Sequence, residues 1–407
     1  MSSQSRANSA AVAYCQSTRL YYHKDVLLEG MNLCQRHNDS IKRLASNGSG
    51  GAPFNLDAAW ADIVSTCAAN AGKIYTESWS TITIPNMPGL PFGSEVLTPG
   101  GIIYAVPYNH NKILKIDSNT DTVSQFGDFS SGSLYRYSCA VLAPNGFIYV
   151  LPGRSTNILK INPSNDTYTT FGDLSVMGTS SSKWGGACVA PNGCIYGMPC
   201  GTNKIIKINP KTDEITLFDT PYTVPSTGLW QDAVLSRNGC IYGTPRASGL
   251  PYFKIDPSTD TFSTYGTYSG YNYPWACGRI APNEFIYITG LQVGSALKIN
   301  PSNDNVSTLS GYSGAYGSVL APNGCIYGIP REAPYLIKIN PTTDSVSRIN
   351  MSRQGYTNSV LAPNGYIYAL PGGYDNATNN ILKIDVGVGV CQNFKESTLL
   401  SPFLNKY

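Results

Sequence analysis

Ser318-Val-Leu-Ala-Pro-Asn-Gly-Cys-Ile-Tyr-Gly-Ile-Pro330 and, after a short loop, Tyr335-Leu-Ile-Lys-Ile-Asn-Pro-Thr-Thr-Asp-Ser-Val-Ser-Arg348 hold one complete copy of the pattern that runs through most of this chain. Ser318 to Ala321 reads as a short strand, Pro322-Asn323-Gly324 as a tight turn, and Cys325 to Ile329 as a second strand closing a hairpin. Asn-Gly supplies the positive φ that such a turn requires. Leu336 to Ile339 follows as a third strand. Pro341 presets φ in the next turn, and Ser345 to Arg348 forms a fourth strand. Four antiparallel strands of this kind make one propeller blade.

The Tyr of the Ile-Tyr pair marks each copy: Tyr104, Tyr149, Tyr196, Tyr242, Tyr287, Tyr327 and Tyr368, about 40–47 residues apart. That is the period of propeller blades, and seven copies predict seven blades. The first strands are rich in small residues (Ser138-Cys-Ala140, Gly185-Gly-Ala-Cys188), as inner strands crowded around one axis require. The expected fold is therefore all-β, a seven-bladed β-propeller of four-stranded antiparallel blades over 80–407, preceded by a helical N-terminal arm over 1–79.

Pro144-Asn-Gly-Phe-Ile-Tyr149, Pro191-Asn-Gly-Cys-Ile-Tyr196, Pro322-Asn-Gly-Cys-Ile-Tyr327 and Pro363-Asn-Gly-Tyr-Ile-Tyr368, each followed by Lys-Ile-Asn or Lys-Ile-Asp, resemble the A-P-N-G-x-I-Y propeller repeats, relatives of the kelch and Y-V-T-N classes. The resemblance covers about three quarters of the chain. Such repeats occur in many settings, bacteriophage virion proteins among them, so the resemblance implies a fold and no single activity. Two copies depart from it. Arg237 replaces the turn Pro of the fourth copy and Glu284 the turn Gly of the fifth, which puts their local turn geometry in question.

Ahead of the repeats, Leu20, Leu27, Met31, Cys34, Ile41 and Ala45 fall at near-helical spacing, and Leu56, Trp60, Ile63 and Cys67 line a second helical face. Their apolar stripes, Leu27, Met31, Ile41, Trp60 and Ile63 above all, need covering, and docking on other protein subunits of an assembly is favoured over a self-sufficient coiled coil. Thr81 to Ile84 reads as a strand able to complete the seventh blade, in competition with Val388 to Phe394.

Charged residues make up 13% of the chain and the net charge is +3, with no basic block to track phosphates, so nucleic acid is not an expected partner. No apolar run reaches membrane-span length. The start lacks a signal-peptide core, which predicts synthesis in the cytosol and, with the repeat resemblance, incorporation in a virion. Cys194, Cys240 and Cys325 share a repeat slot filled elsewhere by Ile102, Phe147, Phe285 and Tyr366, so they read as core residues. Only three His are present, none at metal-ligand spacing, and no metal or cofactor is expected.

Chain direction puts both kinds of repeated turn on one face of the disc and the varied loops on the other, the face expected to carry recognition. An aromatic recurs ahead of each first strand: Phe92, Tyr137, Trp184, Trp230, Trp275 and Tyr356, with Tyr316 displaced by one. Such a ring either packs between blades or offers a stacking platform for surface glycans or a protein. The repeated Lys (Lys115, Lys160, Lys207, Lys254, Lys298, Lys338, Lys383) reads as a stem lying along the next blade, with its ammonium free near the repetitive face. The repeated Asp reads as a turn residue accepting backbone hydrogen bonds; the seventh copy lacks it. Carboxylates in the varied loops (Asp128, Asp173, Asp219, Asp232, Glu332, Asp375) recur in no catalytic spacing. The sequence thus places a structural or recognition protein of a large assembly (capsid decoration, tail or receptor-binding subunit) above a lectin-like propeller, and either above an enzyme.

Overall fold

The computed structural model describes residues 76–85, 92–130, 134–178, 182–372 and 379–386. They form seven separate four-stranded antiparallel sheets. Six blades each use four consecutive strands, the first running Phe92–Leu97, Ile102–Pro107, Ile113–Asp117 and Thr122–Phe126. The seventh takes Tyr356–Leu361, Tyr366–Pro371 and Asn380–Asp385 from the C-terminal side and borrows its outer strand, Ser78–Thr83, from the N-terminal side. The predicted strand at Thr81 therefore exists, and it starts two residues before the expected domain boundary. The helical stripe residues Leu27, Met31, Ile41, Trp60 and Ile63, and the competing stretch 388–394, lie outside the described residues.

Burial follows strand position. Every residue of the second strands Ile148–Pro152 and Ile195–Pro199 is buried, whereas outer strands such as Thr167–Phe171 alternate between half-buried and exposed. Neighbouring blades cover both faces of the inner strands, so these read as unbroken apolar runs. Contact between inner strands is close: a Cβ on Gly317 would come within 2.1 Å of the Thr357 carbonyl oxygen, and one on Gly185 within 2.5 Å of that of Trp230. Only glycine fits there.

The Pro-Asn-Gly turns have the expected geometry. Gly324 has φ 76°, and its N–H donates to the Ala321 carbonyl at 2.9 Å. The two departures from the pattern turn out to be partners. Glu284 holds the same left-handed conformation, φ 66°, and its carboxylate pairs with Arg237 of the preceding blade at 3.2 Å. The fifth turn keeps its shape at a strain cost of about 1 kcal/mol.

The repetitive face is held by a network that crosses every blade boundary. Tyr149 of the second blade donates its hydroxyl to Asp213 of the third at 2.5 Å, and Lys160 pairs with the same carboxylate at 2.6 Å. Asn145 of the turn donates to both the Tyr149 hydroxyl and the Pro210 carbonyl. The pattern repeats as Tyr104–Lys115–Asp166, Tyr196–Lys207–Asp260, Tyr242–Lys254–Asp304, Tyr287–Lys298–Asp344 and Tyr368–Lys383–Asp121. These six Asp all sit in the left-handed region, φ 54–58°, which Asp tolerates better than most residues and which turns the carboxylate toward the preceding blade. The Lys ammoniums are therefore not free, and the Asp side chains serve the blade boundary rather than their own turn. A hydrogen bond to a charged group contributes about 1.5–3 kcal/mol, while the half-exposed Lys–Asp pairs contribute about 0–1 kcal/mol each.

At the seventh position the missing Asp is supplied from the N-terminal side. Glu77, immediately before the closing strand, accepts from Tyr327 at 3.0 Å and from Lys338 at 2.7 Å. Burial works to raise its pKa, but the Lys338 hydrogen bond and charge, with help from Tyr327, hold it below the ordinary carboxylate value.

Candidate functional site

The opposite face is built from loops that do not repeat, and no side-chain network recurs from blade to blade on it among the described residues. Each second strand ends at this face, most of them in Pro, and three loops that follow present Arg: Arg154 two residues after Pro152, Arg246 directly after Pro245, and Arg331 directly after Pro330. Each guanidinium lies over a tyrosine ring, with its Cζ 4.8 Å from the centre of Tyr135, 4.9 Å from Tyr273 and 4.5 Å from Tyr316. None of the three forms an ion pair with a carboxylate among the described residues. Tyr135 and Tyr273 have φ 64° and 53°. For bulky residues this conformation costs on the order of 1–3 kcal/mol. Backbone bonds hold them in it: the Arg154 N–H donates to the Tyr135 carbonyl at 2.7 Å, and the Tyr273 N–H to the Arg246 carbonyl at 2.8 Å.

Nearest the axis, side chains from three blades meet. Gln231 of the fourth blade donates to the Tyr316 hydroxyl of the sixth at 3.3 Å. Arg246 donates from Nη1 to the Cys200 sulfur of the third blade at 2.8 Å, while its Nε is buried without a hydrogen-bond partner. Burial pushes the Tyr316 phenol pKa up, and the nearby Arg331 and Arg246 charges oppose that rise. Beside this cluster Lys183 is fully buried, and its ammonium donates to the Gly153 and Ser155 carbonyls at 2.5 and 3.0 Å. With no carboxylate to offset it, desolvation pushes the Lys183 pKa down to about 8.

The predicted aromatic ring lies inside the walls of the disc. Trp184 and Trp230 are fully buried, their indole N–H groups donating to the Lys204 and Pro251 carbonyls. Phe92, Tyr137, Trp275 and Tyr356 are buried as well. Of the candidates, only Tyr316 is less than fully buried, because in its copy the buried slot is taken by Ala315. The ring fills blade boundaries and presents no stacking platform; Tyr316 alone reaches the mouth of the axis.

The loop carboxylates do not converge. Asp128 and Asp173 accept from the backbone N–H of Ser130 and Ser175, Asp219 pairs with Lys204, and Asp232 accepts from Gly278 N–H at 2.6 Å. Glu332 is exposed, and Asp375 lies outside the described residues. Among the described residues no group of three or more His, Cys, Asp or Glu is placed to hold a metal ion, and no helix is long and apolar enough to cross a membrane. The repeat-slot thiols are packed as core groups, with burial raising the Cys240 pKa to about 11. A cavity of about 490 Å³ lies away from the axis, lined by Pro85, His110, Lys112 and Val123 to Gln125.

Sequence reasoning missed the Arg–Tyr stacks. The signal was present, since Arg follows the second-strand Pro by one or two residues in the second, fourth and sixth copies. Their tyrosine partners, however, sit at three different offsets.

No protein-family model matches this chain, and no curated protein matches it. Solved structures do. A streptogramin B lyase superposes with TM-score 0.63 at 12% identity, over 76% of this chain and 98% of its own. Virginiamycin B lyase from Staphylococcus aureus gives 0.61 at 10%, over 76% and 99%. Hydrazine synthase from Kuenenia stuttgartiensis gives 0.56 at 15%, over 76% and 99%. At such identities the likeness shows the fold alone. It nevertheless overturns one expectation. The sequence reading set this chain down as no enzyme for want of a catalytic spacing, yet nearly the whole length of two lyases is this same propeller. Catalytic groups drawn from different blades leave no fixed spacing in a sequence, so the exclusion does not stand.

Proposed function

We propose that the chain is a recognition subunit of a larger assembly, binding through its varied face and attached through the region ahead of the propeller. In its most specific form it is a virion component, at a capsid decoration, tail or receptor-binding position, one of the settings in which repeats of this kind occur. The observation that carries the reading is the contrast between the faces. Polar groups of the repetitive face satisfy one another across all seven boundaries, whereas the varied face holds Arg154, Arg246 and Arg331 on strained or partly buried tyrosines with no acidic partner among the described residues. Strain and unpaired charge at one surface are features of sites that engage something else.

The test is a comparison of the full chain with one lacking residues 1–72, which keeps Glu77 and the closing strand. The shortened chain is expected to remain a soluble, cooperatively unfolding propeller and to lose incorporation into the native particle, read by size exclusion and by cross-linking mass spectrometry. An insoluble shortened chain beside a stably monomeric full chain would overturn the assembly reading.

A further inference from the structure

We propose that Arg246, Tyr316 and Arg331 form a binding site at the varied-face mouth of the axis, and that its ligand is the carboxylate of an acidic sugar. This rests on the reading of that face as the recognition surface. Apart from the Arg246 Nη1 contact with the Cys200 sulfur, the three residues make a set of donors without an acceptor among the described residues. The Tyr316 oxygen already accepts from Gln231, so its own O–H has no acceptor among the described residues. Among the described residues Arg331 makes no hydrogen bond from its guanidinium, and the buried Arg246 Nε has no partner. Buried donors left unpaired are costly, and a cluster of two guanidiniums and a phenol calls for an oxyanion. The Tyr316 and Tyr273 rings lie under the two guanidiniums, and the Arg331 guanidinium, with no hydrogen bond among the described residues, offers a fork of donors of the kind that matches a planar carboxylate.

The surroundings suit a sugar better than a bare ion. Thr227, whose hydroxyl is also buried without a partner, adjoins Gly228, which packs on Cys200 and Arg246. The Gln231 amide lies beside the Tyr316 hydroxyl, and Tyr271, 74% exposed, stands two residues from Tyr273. Neutral hydroxyl and amide groups pair with sugar hydroxyls, and an exposed ring offers a face to a pyranose.

The full-length chain is titrated with D-glucuronate, D-glucose, acetate and inorganic phosphate, and binding is followed by saturation-transfer NMR. Glucuronate is expected to bind more tightly than the other three, with affinity falling as salt rises. Arg331→Gln is expected to weaken it by about tenfold and Tyr316→Phe, which keeps the ring under Arg331, by about threefold. Should Arg331→Gln not fold, Arg331→Lys keeps the charge, loses the fork and is expected to weaken binding as well. Phosphate or acetate binding as tightly as glucuronate, unchanged binding in the folded variants, or no saturable glucuronate binding would each overturn the proposal. If the site fails while the full chain still incorporates and the chain lacking 1–72 does not, the assembly reading survives without it.

Discussion

Six blades are closed by hairpins of continuous chain, and the seventh is closed by two ends that meet. Ser78 to Thr83 pairs residue for residue with Asp385 to Asn380, about three hundred residues away in sequence, and Glu77 fills the carboxylate position that an Asp fills in the other six blades. At every boundary a Tyr and a Lys share one carboxylate of the next blade. What differs is the connection: in six blades a turn joins the outer strand to its own third strand, whereas the seam strand is joined by the chain only to the first blade. Without that turn, local opening at the seam is expected to cost less than elsewhere in the ring. The comparison predicts a protein that unfolds from its seam.

The largest effect is expected from removing residues 1–85 rather than 1–72. Losing the outer strand, its partly buried Trp79 and Ile82, and Glu77 together should destabilise the propeller by about 4 kcal/mol or more, read as a fall in the midpoint of chemical denaturation. Equal midpoints for the two truncations would mean that the borrowed strand does not close the ring.

Next in size, Glu77→Gln and Asp213→Asn should each cost about 1–2 kcal/mol, since both leave a Lys and a buried Tyr with a weaker acceptor. Their location should differ. Hydrogen exchange is expected to quicken in Ser78 to Thr83 for the first variant, and to change only with global unfolding for the second. If both quicken the same strand, the seam is not special.

Acid should act on the seam in the same sense. The Glu77 carboxyl is held below its ordinary pKa in the folded state, so its contribution is fully present above the unfolded value of about 4.3 and is lost as pH falls through the lower folded value. Asp344, also lowered, adds a smaller contribution of the same sign at an ordinary boundary. Protease cleavage near Ser78 is expected to rise in that acid window for the native chain and to lose this pH dependence in Glu77→Gln.

The smallest effect is expected at Glu284. Replacing it with Gly relieves the strained left-handed turn and removes the Arg237 ion pair, two changes of opposite sign near 1 kcal/mol that should leave stability within about 0.5 kcal/mol of native. A clear gain would mean that the ion pair contributes nothing.

Much of the fold was legible because a propeller repeats its local rules. Each Pro-Asn-Gly turn, each alternation into Lys-Ile-Asn, and each small-residue inner strand carries its own evidence within about forty residues, and Gly324 adopts the positive φ that Asn-Gly implied. Even the gap was visible, since the seventh copy lacks its Asp. Its replacement was not, because Glu77 precedes the first repeat and belongs to no pattern. The site was less legible still. Arg246 and Arg331 were single residues in unlike loops, and the aromatic ring, which does repeat, proved to be packing.

The sequence by itself determined the number of blades, the strands within each and the turns between them, since those depend on backbone preferences and hydrophobic pattern over short stretches. Which residues pair across blade boundaries was decided only by tertiary structure. Lys160 and Asp166 stand six residues apart in one copy, yet Lys160 reaches Asp213 and Asp166 receives Lys115, because the stagger of neighbouring sheets brings each carboxylate against the blade before its own. The varied face depends on the same stagger: Gln231 meets Tyr316 only because the closing of the ring turns loops from separate blades toward one axis.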